Sequence, residues 1–125
     1  MTRPFAELGV APPIVEALAA RGFDTAFAIQ DLSIEDALAG KDICGKAQTG
    51  SGKTLAFGIP AVQRLGQNPG NGVRALMLMP TRELANQVFD ELAPLCKAMD
   101  LTPLAVYGGA DIEKQISALN KGVDM

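Results

Sequence analysis

The eight residues A-Q-T-G-S-G-K-T, Ala47 to Thr54, constrain this chain more than any other stretch. They follow a short apolar run around Ile43 and Cys44 and precede a helical pattern that reaches Leu65. A glycine-rich turn between a strand and a helix gathers backbone N–H groups into a concavity that binds phosphate oxygens. Gly50 and Gly52 let the backbone turn and approach a ligand with no Cβ in the way. The N–H groups from Thr49 to Thr54 then converge, with the positive end of the following helix behind them. Lys53 supplies a point charge for β- and γ-phosphates, and Thr54 a hydroxyl for Mg²⁺, an ion that keeps several of its waters. The usual pattern, G-x-x-x-x-G-K-[ST], has glycine where this chain has Ala47. The bland alternative is a turn that only joins strand to helix and leaves Lys53 solvated.

Composition narrows the classes. The chain has 125 residues, 48% of them apolar and 20% charged, which suits one globular domain. Its net charge of −3 removes strong non-specific attraction to nucleic acid, though a few placed groups can still hold a backbone. There is no histidine, so His-based triads and the commonest metal ligand are excluded. Cys44 and Cys96 have no paired spacing and are expected to be buried, reduced thiols. The opening residues lack the apolar core of a secretory leader, and no apolar run reaches membrane length, so a cytoplasmic location is expected.

Helical and strand patterns alternate along the chain. Pro12-Pro13 followed by Ile14, Val15 and Leu18 predicts a helix ending near Gly22. Ser33 followed by Glu35 and Asp36 predicts a second helix, capped by Ser33 and stopped at Gly40. Residues 41–45 read as a short strand, 73–79 as a strand buried on both faces, and 102–107 as another, with 123–125 starting a fourth. Helices are expected from Gly52 to Leu65 with Pro60 inside, from Thr81 with Leu84, Val88, Leu92 and Leu95 on one stripe, and from Asp111 with Ile112, Ile116 and Leu119 inward. The fold class that follows is α/β, a parallel sheet with right-handed crossovers and helices on its faces.

Several stretches together resemble the DEAD-box ATP-dependent RNA helicase family in its bacterial form, specifically the N-terminal part of its first RecA-like domain. The phosphate loop with Ala47 in first place is the form that family uses. P-T-R-E-L-A, Pro80 to Ala85, is similar to its second signature, and Gly108-Gly109 stands where its GG element is expected. G-F-D-T-A-F-A-I-Q, Gly22 to Gln30, resembles its adenine-recognising Q motif, and Phe5 has the spacing of its isolated upstream aromatic. The resemblance implies a P-loop NTPase fold of RecA type, incomplete here, with a Q-motif segment at 1–31 and the front of the RecA-like domain at 32–125. It implies ATP and Mg²⁺ as ligands, with Ala47, Gln48, Thr49, Gly50, Ser51, Gly52, Lys53 and Thr54 around the phosphates. Gln30 would bond the adenine edge, Phe23 would stack on the base, and Phe5 would pack near it. RNA would be held by its backbone at Pro80, Thr81, Arg82, Gly108 and Gly109, without sequence reading. Taken alone, Gln30 reads as an ordinary amide, the two phenylalanines as core, Thr81 as a helix cap and Arg82 as a solvated charge.

The chain departs from that pattern in two ways. Ala26 and Phe27 stand where the Q motif has proline and then serine or threonine. Phe27 brings no hydroxyl to tie the segment to the phosphate loop, and Ala26 leaves the backbone freer, so weaker adenine discrimination is expected. No D-E-A-D or S-A-T stretch occurs in the 125 residues, so the carboxylates for Mg²⁺ and the attacking water are not among them. Unpaired sheet edges are expected to favour association between copies. Another kind of NTP-using enzyme would need its own acidic cluster and lid; a nucleotide- or RNA-binding module without catalysis is the remaining alternative. These 125 residues alone are predicted to show negligible RNA-stimulated ATP hydrolysis. A coupled phosphate-release assay checks this, and measurable RNA-dependent turnover contradicts it.

Overall fold

The computed structural model describes residues 2–125; Met1, the first residue of the predicted 1–31 segment, lies outside the described residues. A 3₁₀ turn, Phe5–Leu8, precedes five helices: α1 (Pro12–Ala19), α2 (Ala28–Leu38), α3 (Lys53–Gln67), α4 (Arg82–Ala98) and α5 (Ile112–Lys121). No described helix is long and apolar enough to cross a membrane.

Helix α3 is the spine. Its buried stripe of Leu55, Ile59 and Val62 faces α2 and α4, and α1 packs on α4 through Ile14 and Leu18. Gly58 sets the α3–α4 approach: a Cβ there would stand 2.3 Å from Leu92 Cδ2, so only glycine lets the two helices come this close. Pro60 lies inside α3 without ending it. Gln63, 5% exposed, turns its amide toward the preceding layer, where Oε1 accepts from Ala11 N at 2.8 Å and Nε2 donates to Gly9 O at 2.9 Å. That carboxamide fixes the loop between the 3₁₀ turn and α1 by pairing two of its main-chain groups.

Four expectations are corrected. First, α2 begins at Ala28 rather than at Ser33. Ser33 is buried inside the helix, its hydroxyl donating to Ile29 O at 2.6 Å, because a different side chain closes the first turn. Second, α5 has Asp111 as its cap, accepting from Glu113 N and Lys114 N at 3.0 and 3.3 Å, but its apolar stripe faces out. Ile112, Ile116 and Leu119 are exposed, since no other described helix packs on them. Third, residues 73–79 are covered on one face only. Ala75, Met77 and Met79 are half-buried, while Leu76 and Leu78 are exposed. Fourth, Cys44 is exposed, and only Cys96 is buried. Burial, and secondarily the Asp124 carboxylate, push the Cys96 thiol up to about 11, so it is an unreactive packing group at neutral pH.

Residues 41–45, 73–79 and 102–107 are extended, yet no strand ladder forms among the described residues. Spacing explains this. Arg74 N and Ala75 N donate to Asp124 O, Asp124 N donates to Thr102 O, and Leu104 N donates to Met125 O. Residues 123–125 therefore sit between the 73–75 and 102–104 segments, which are two strand widths apart and beyond mutual hydrogen-bond reach. An apolar slot of about 170 Å³ continues along that line between Leu76 and Met77 on one side and Leu104 and Val106 on the other. Arg74 anchors the arrangement. Its guanidinium bonds Asn68 O and, at 3.4 Å, Leu65 O at the end of α3, and pairs with Asp124 at 3.5 Å. Asp124 in turn accepts from Thr102 N at 2.8 Å.

Candidate functional site

The glycine-rich loop turns through two left-handed residues, Gly50 at φ 79° and Gly52 at φ 84°. Gly52 is also the residue from which α3 starts, and no side chain caps that end. The early N–H groups of α3 thus have no side-chain acceptor at that end. Ser51 draws the loop in, with N and Oγ both donating to Gln48 O. Lys53 is exposed and takes part in none of the ion pairs among the described residues. Thr54 is half-buried beside it.

Gly50, Gly52, Lys53 and Thr54 border one end of a cavity of about 980 Å³. The cavity runs from the 41–45 segment over Phe57 and Pro60 of α3 to Met79 and Leu84. Its loop end carries the polar chemistry. The rest lies between the 41–45 segment, α3 and Met79, away from the loop's polar groups.

Gln30 organises the loop from behind. It is 2% exposed; Oε1 accepts from Phe27 N at 2.8 Å, and Nε2 donates to Gly52 O at 3.0 Å. One carboxamide thus closes the first turn of α2 and holds the residue from which α3 begins. The fit is tight: a Cβ on Gly52 would stand 2.4 Å from Gln30 Nε2 and 2.8 Å from the Phe27 ring. The tie that the missing Phe27 hydroxyl would have made is therefore supplied by Gln30 itself. The Ala26 substitution is compensated too. Ala26 N donates to Arg3 O at 2.9 Å, a bond proline cannot make, and Pro4 pairs with Thr25 in an antiparallel bridge. The Arg3 guanidinium reaches Asp31 at 2.6 Å and Glu35 at 2.8 Å, and it holds the Asp31 carboxyl below the usual range.

The predicted base-contacting aromatics are deeper than the loop. Phe5 is 1% exposed in the core, and Phe23 is half-buried with the Arg21 guanidinium 5.3 Å from its ring centroid. Phe27 is different: it is half-exposed and borders both the large cavity and a second groove along the loop. Reading Phe27 only as a lost hydroxyl missed this. Gln30 three residues after the helix boundary was the available signal, obscured because Phe27 is not a normal capping residue.

A second group assembles at the ends of the other extended segments. Thr81 Oγ1 accepts from Leu84 N at 3.2 Å and caps α4 as predicted. The Arg82 guanidinium lies 5.9 Å from the Tyr107 ring centroid, and a Cβ on Gly109, whose φ is 84°, would be 3.5 Å from Arg82. Gln115 of α5 fixes Tyr107, accepting from its N at 2.9 Å and donating to its O at 3.3 Å. Thr81, Arg82, Gly108 and Gly109 are thus brought to one exposed edge, with Pro80 beside them. No group of three or more metal-ligating acids or cysteines occurs among the described residues.

The DEAD/DEAH box helicase family model matches residues 27–125. An ATP-dependent RNA helicase CshA of Listeria monocytogenes is 47% identical over 117 residues, covering 94% of this chain and 22% of that protein. An ATP-dependent RNA helicase RhlB of Sodalis glossinidius is 42% identical, covering 98% of this chain and 31% of the relative. The RNA helicase Prp28 from Chaetomium thermophilum, solved bound to ADP, superposes with a TM-score of 0.88 at 33% identity, over 98% of this chain and 31% of that one. A DEAD box protein from Methanococcus jannaschii superposes at 0.86 with 39% identity, over 95% of this chain and 33% of that one. The chain thus spans about a fifth to a third of the length of these proteins. The likeness carries the α/β, RecA-like fold class, although the extended segments form no ladder here.

The contact between Gln30 and Gly52 predicts coupling. Gly52→Ala and Gln30→Ala are each expected to destabilise the protein. In a double-mutant cycle read by urea unfolding they should show a coupling of about 1 kcal/mol, because removing the amide makes room for the new methyl. Strictly additive effects contradict the contact.

Proposed function

The chain belongs to the DEAD/DEAH box helicase family, and on that premise we propose that it forms the ATP-binding front of an ATP-dependent RNA helicase. The observation that carries the reading is the phosphate loop, with its two left-handed glycines, free Lys53 and uncapped α3 end, held from behind by a buried Gln30. The β- and γ-phosphates rest on the N–H groups from Thr49 to Thr54. Ala47, Gln48 and Ser51 shape the loop, Lys53 neutralises phosphate charge, and Thr54 offers Mg²⁺ one ligand. Bound Mg²⁺ would screen the phosphate oxygens and hold them in one geometry.

The nucleotide base lies at the α2 side of the loop. Gln30 keeps one amide N–H and one lone pair beyond its two internal bonds, which limits how much of a base edge it can read. Phe5 and Phe23 act on the base side by supporting that wall.

Pro80, Thr81, Arg82, Gly108 and Gly109 form the RNA edge. The first N–H groups of α4, Arg82 and the side-chain-free Gly108-Gly109 backbone receive phosphate and sugar. In the whole protein, in the cytoplasm, ATP hydrolysis is coupled to RNA duplex unwinding or remodelling.

Two variants test the assignments in the full-length protein. Lys53→Ala is expected to weaken ATP binding at least tenfold in calorimetric titration while leaving RNA affinity intact. Arg82→Ala should do the reverse, and should lower the slope of log K for RNA against log salt by about 0.7, the value for one contact to single-stranded RNA. An unchanged salt slope contradicts the RNA edge, and unchanged ATP affinity in Lys53→Ala contradicts the phosphate site.

A further inference from the structure

Phe27 sets an open aromatic ring directly against the glycine-rich loop. Its ring lies against Gly52 and the Gln30 amide, yet the residue is 51% exposed. On its open side a shallow groove of about 500 Å³ follows the phosphate loop, bordered by Phe27, Leu32, Lys46, Ala47, Gly50 and Ser51. Leu32 is 80% exposed, so two large apolar side chains present themselves in a groove whose lining is mostly apolar, with Lys46 and Ser51 at the loop. An exposed aromatic face offers a platform on which a flat ring can stack.

The groove is continuous with the proposed phosphate site. Phe27 and Gly50 border both the groove and the large cavity that Lys53 and Thr54 close. A ligand whose phosphates lie on the loop can therefore lay its next part across Phe27. Gln30 contributes little there: it is 2% exposed and borders neither space. Its amide acts as a tie from Phe27 N to Gly52 O. Phe23 borders neither space as well.

We propose that Phe27 is the base platform of this site, holding the nucleobase of a bound nucleoside triphosphate by its face, so that the site takes purines with little regard to their hydrogen-bonding edge. Stacking discriminates weakly among bases, because each presents a π-face. Edge reading discriminates strongly, because a mismatched edge leaves buried polar groups unpaired. Phe27 in place of a hydroxyl residue shifts the balance toward the first. The inference rests on the phosphate-loop reading above and adds the specificity of that site.

The test is equilibrium titration of the full-length protein with the Mg²⁺ complexes of ATP, GTP and inorganic tripolyphosphate, the last probing the phosphate loop alone. The unmodified protein is expected to bind ATP and GTP within about threefold of each other. Phe27→Tyr keeps both affinities. Phe27→Leu, which preserves bulk against Gly52 so that the fold is retained, is expected to weaken both nucleotides about tenfold, in line with loss of one stacked base, and to leave tripolyphosphate unchanged. ATP and GTP affinities that survive Phe27→Leu overturn the proposal, as does a strong ATP preference that disappears in Gln30→Ala. No tripolyphosphate binding by the unmodified protein overturns the phosphate-loop reading itself, and the platform with it.

Discussion

A single buried carboxamide connects the parts of this molecule. Gln30 accepts from the backbone at Phe27 and donates to the backbone at Gly52, so the start of α2 and the start of α3 are set by one side chain. Buried amides are costly when unpaired and modestly favourable when paired, so the arrangement favours one geometry sharply. Gly52 is in the left-handed region and has no room for a Cβ, because Gln30 and the Phe27 ring occupy that space. The glycine-rich loop is thereby held in one shape by the chain's own groups.

The remaining architecture transmits that geometry along α3. Gly58 lets Leu92 of α4 approach, Gln63 holds the loop before α1, and Arg74 meets the end of α3 while pairing with Asp124. Helices α1 to α4 therefore share one continuous core, although the extended segments form no ladder. Two spaces lie between those segments. One is the apolar slot that 123–125 enters, and the other is the broad cavity beside the 41–45 segment. Exposed Leu76, Leu78 and Val106, and the outward stripe of α5, belong to the same pattern of apolar surface without a described neighbour.

Much of this was legible in the residues. The glycine-rich loop, the helix that follows it and the Thr81 cap follow from local chemistry, and each is present; residues 123–125, expected to start a fourth strand, bond to 74–75 and 102–104 without a ladder. Less legible were features that depend on distant partners. Ser33 looked like a cap because its neighbours are acidic, but the helix begins five residues earlier, at Ala28, its first turn closed by Gln30. Ile112, Ile116 and Leu119 have the periodicity of a buried stripe, yet burial requires a packing partner that periodicity does not provide. Ala26 and Phe27 read as losses in a resembling motif. In three dimensions the Ala26 N–H gains a bond to Arg3, and the Phe27 ring gains a place over Gly52.

The central claim is mechanical: Gln30 holds the phosphate loop through Gly52 O. Amide hydrogen exchange of residues 27 and 48–54 in the unmodified protein and in Gln30→Ala tests it most directly. The account predicts that exchange at Phe27 and in the loop accelerates at least tenfold in the variant, while the middle of α4 keeps its protection. Loop exchange that is the same in both proteins would contradict it.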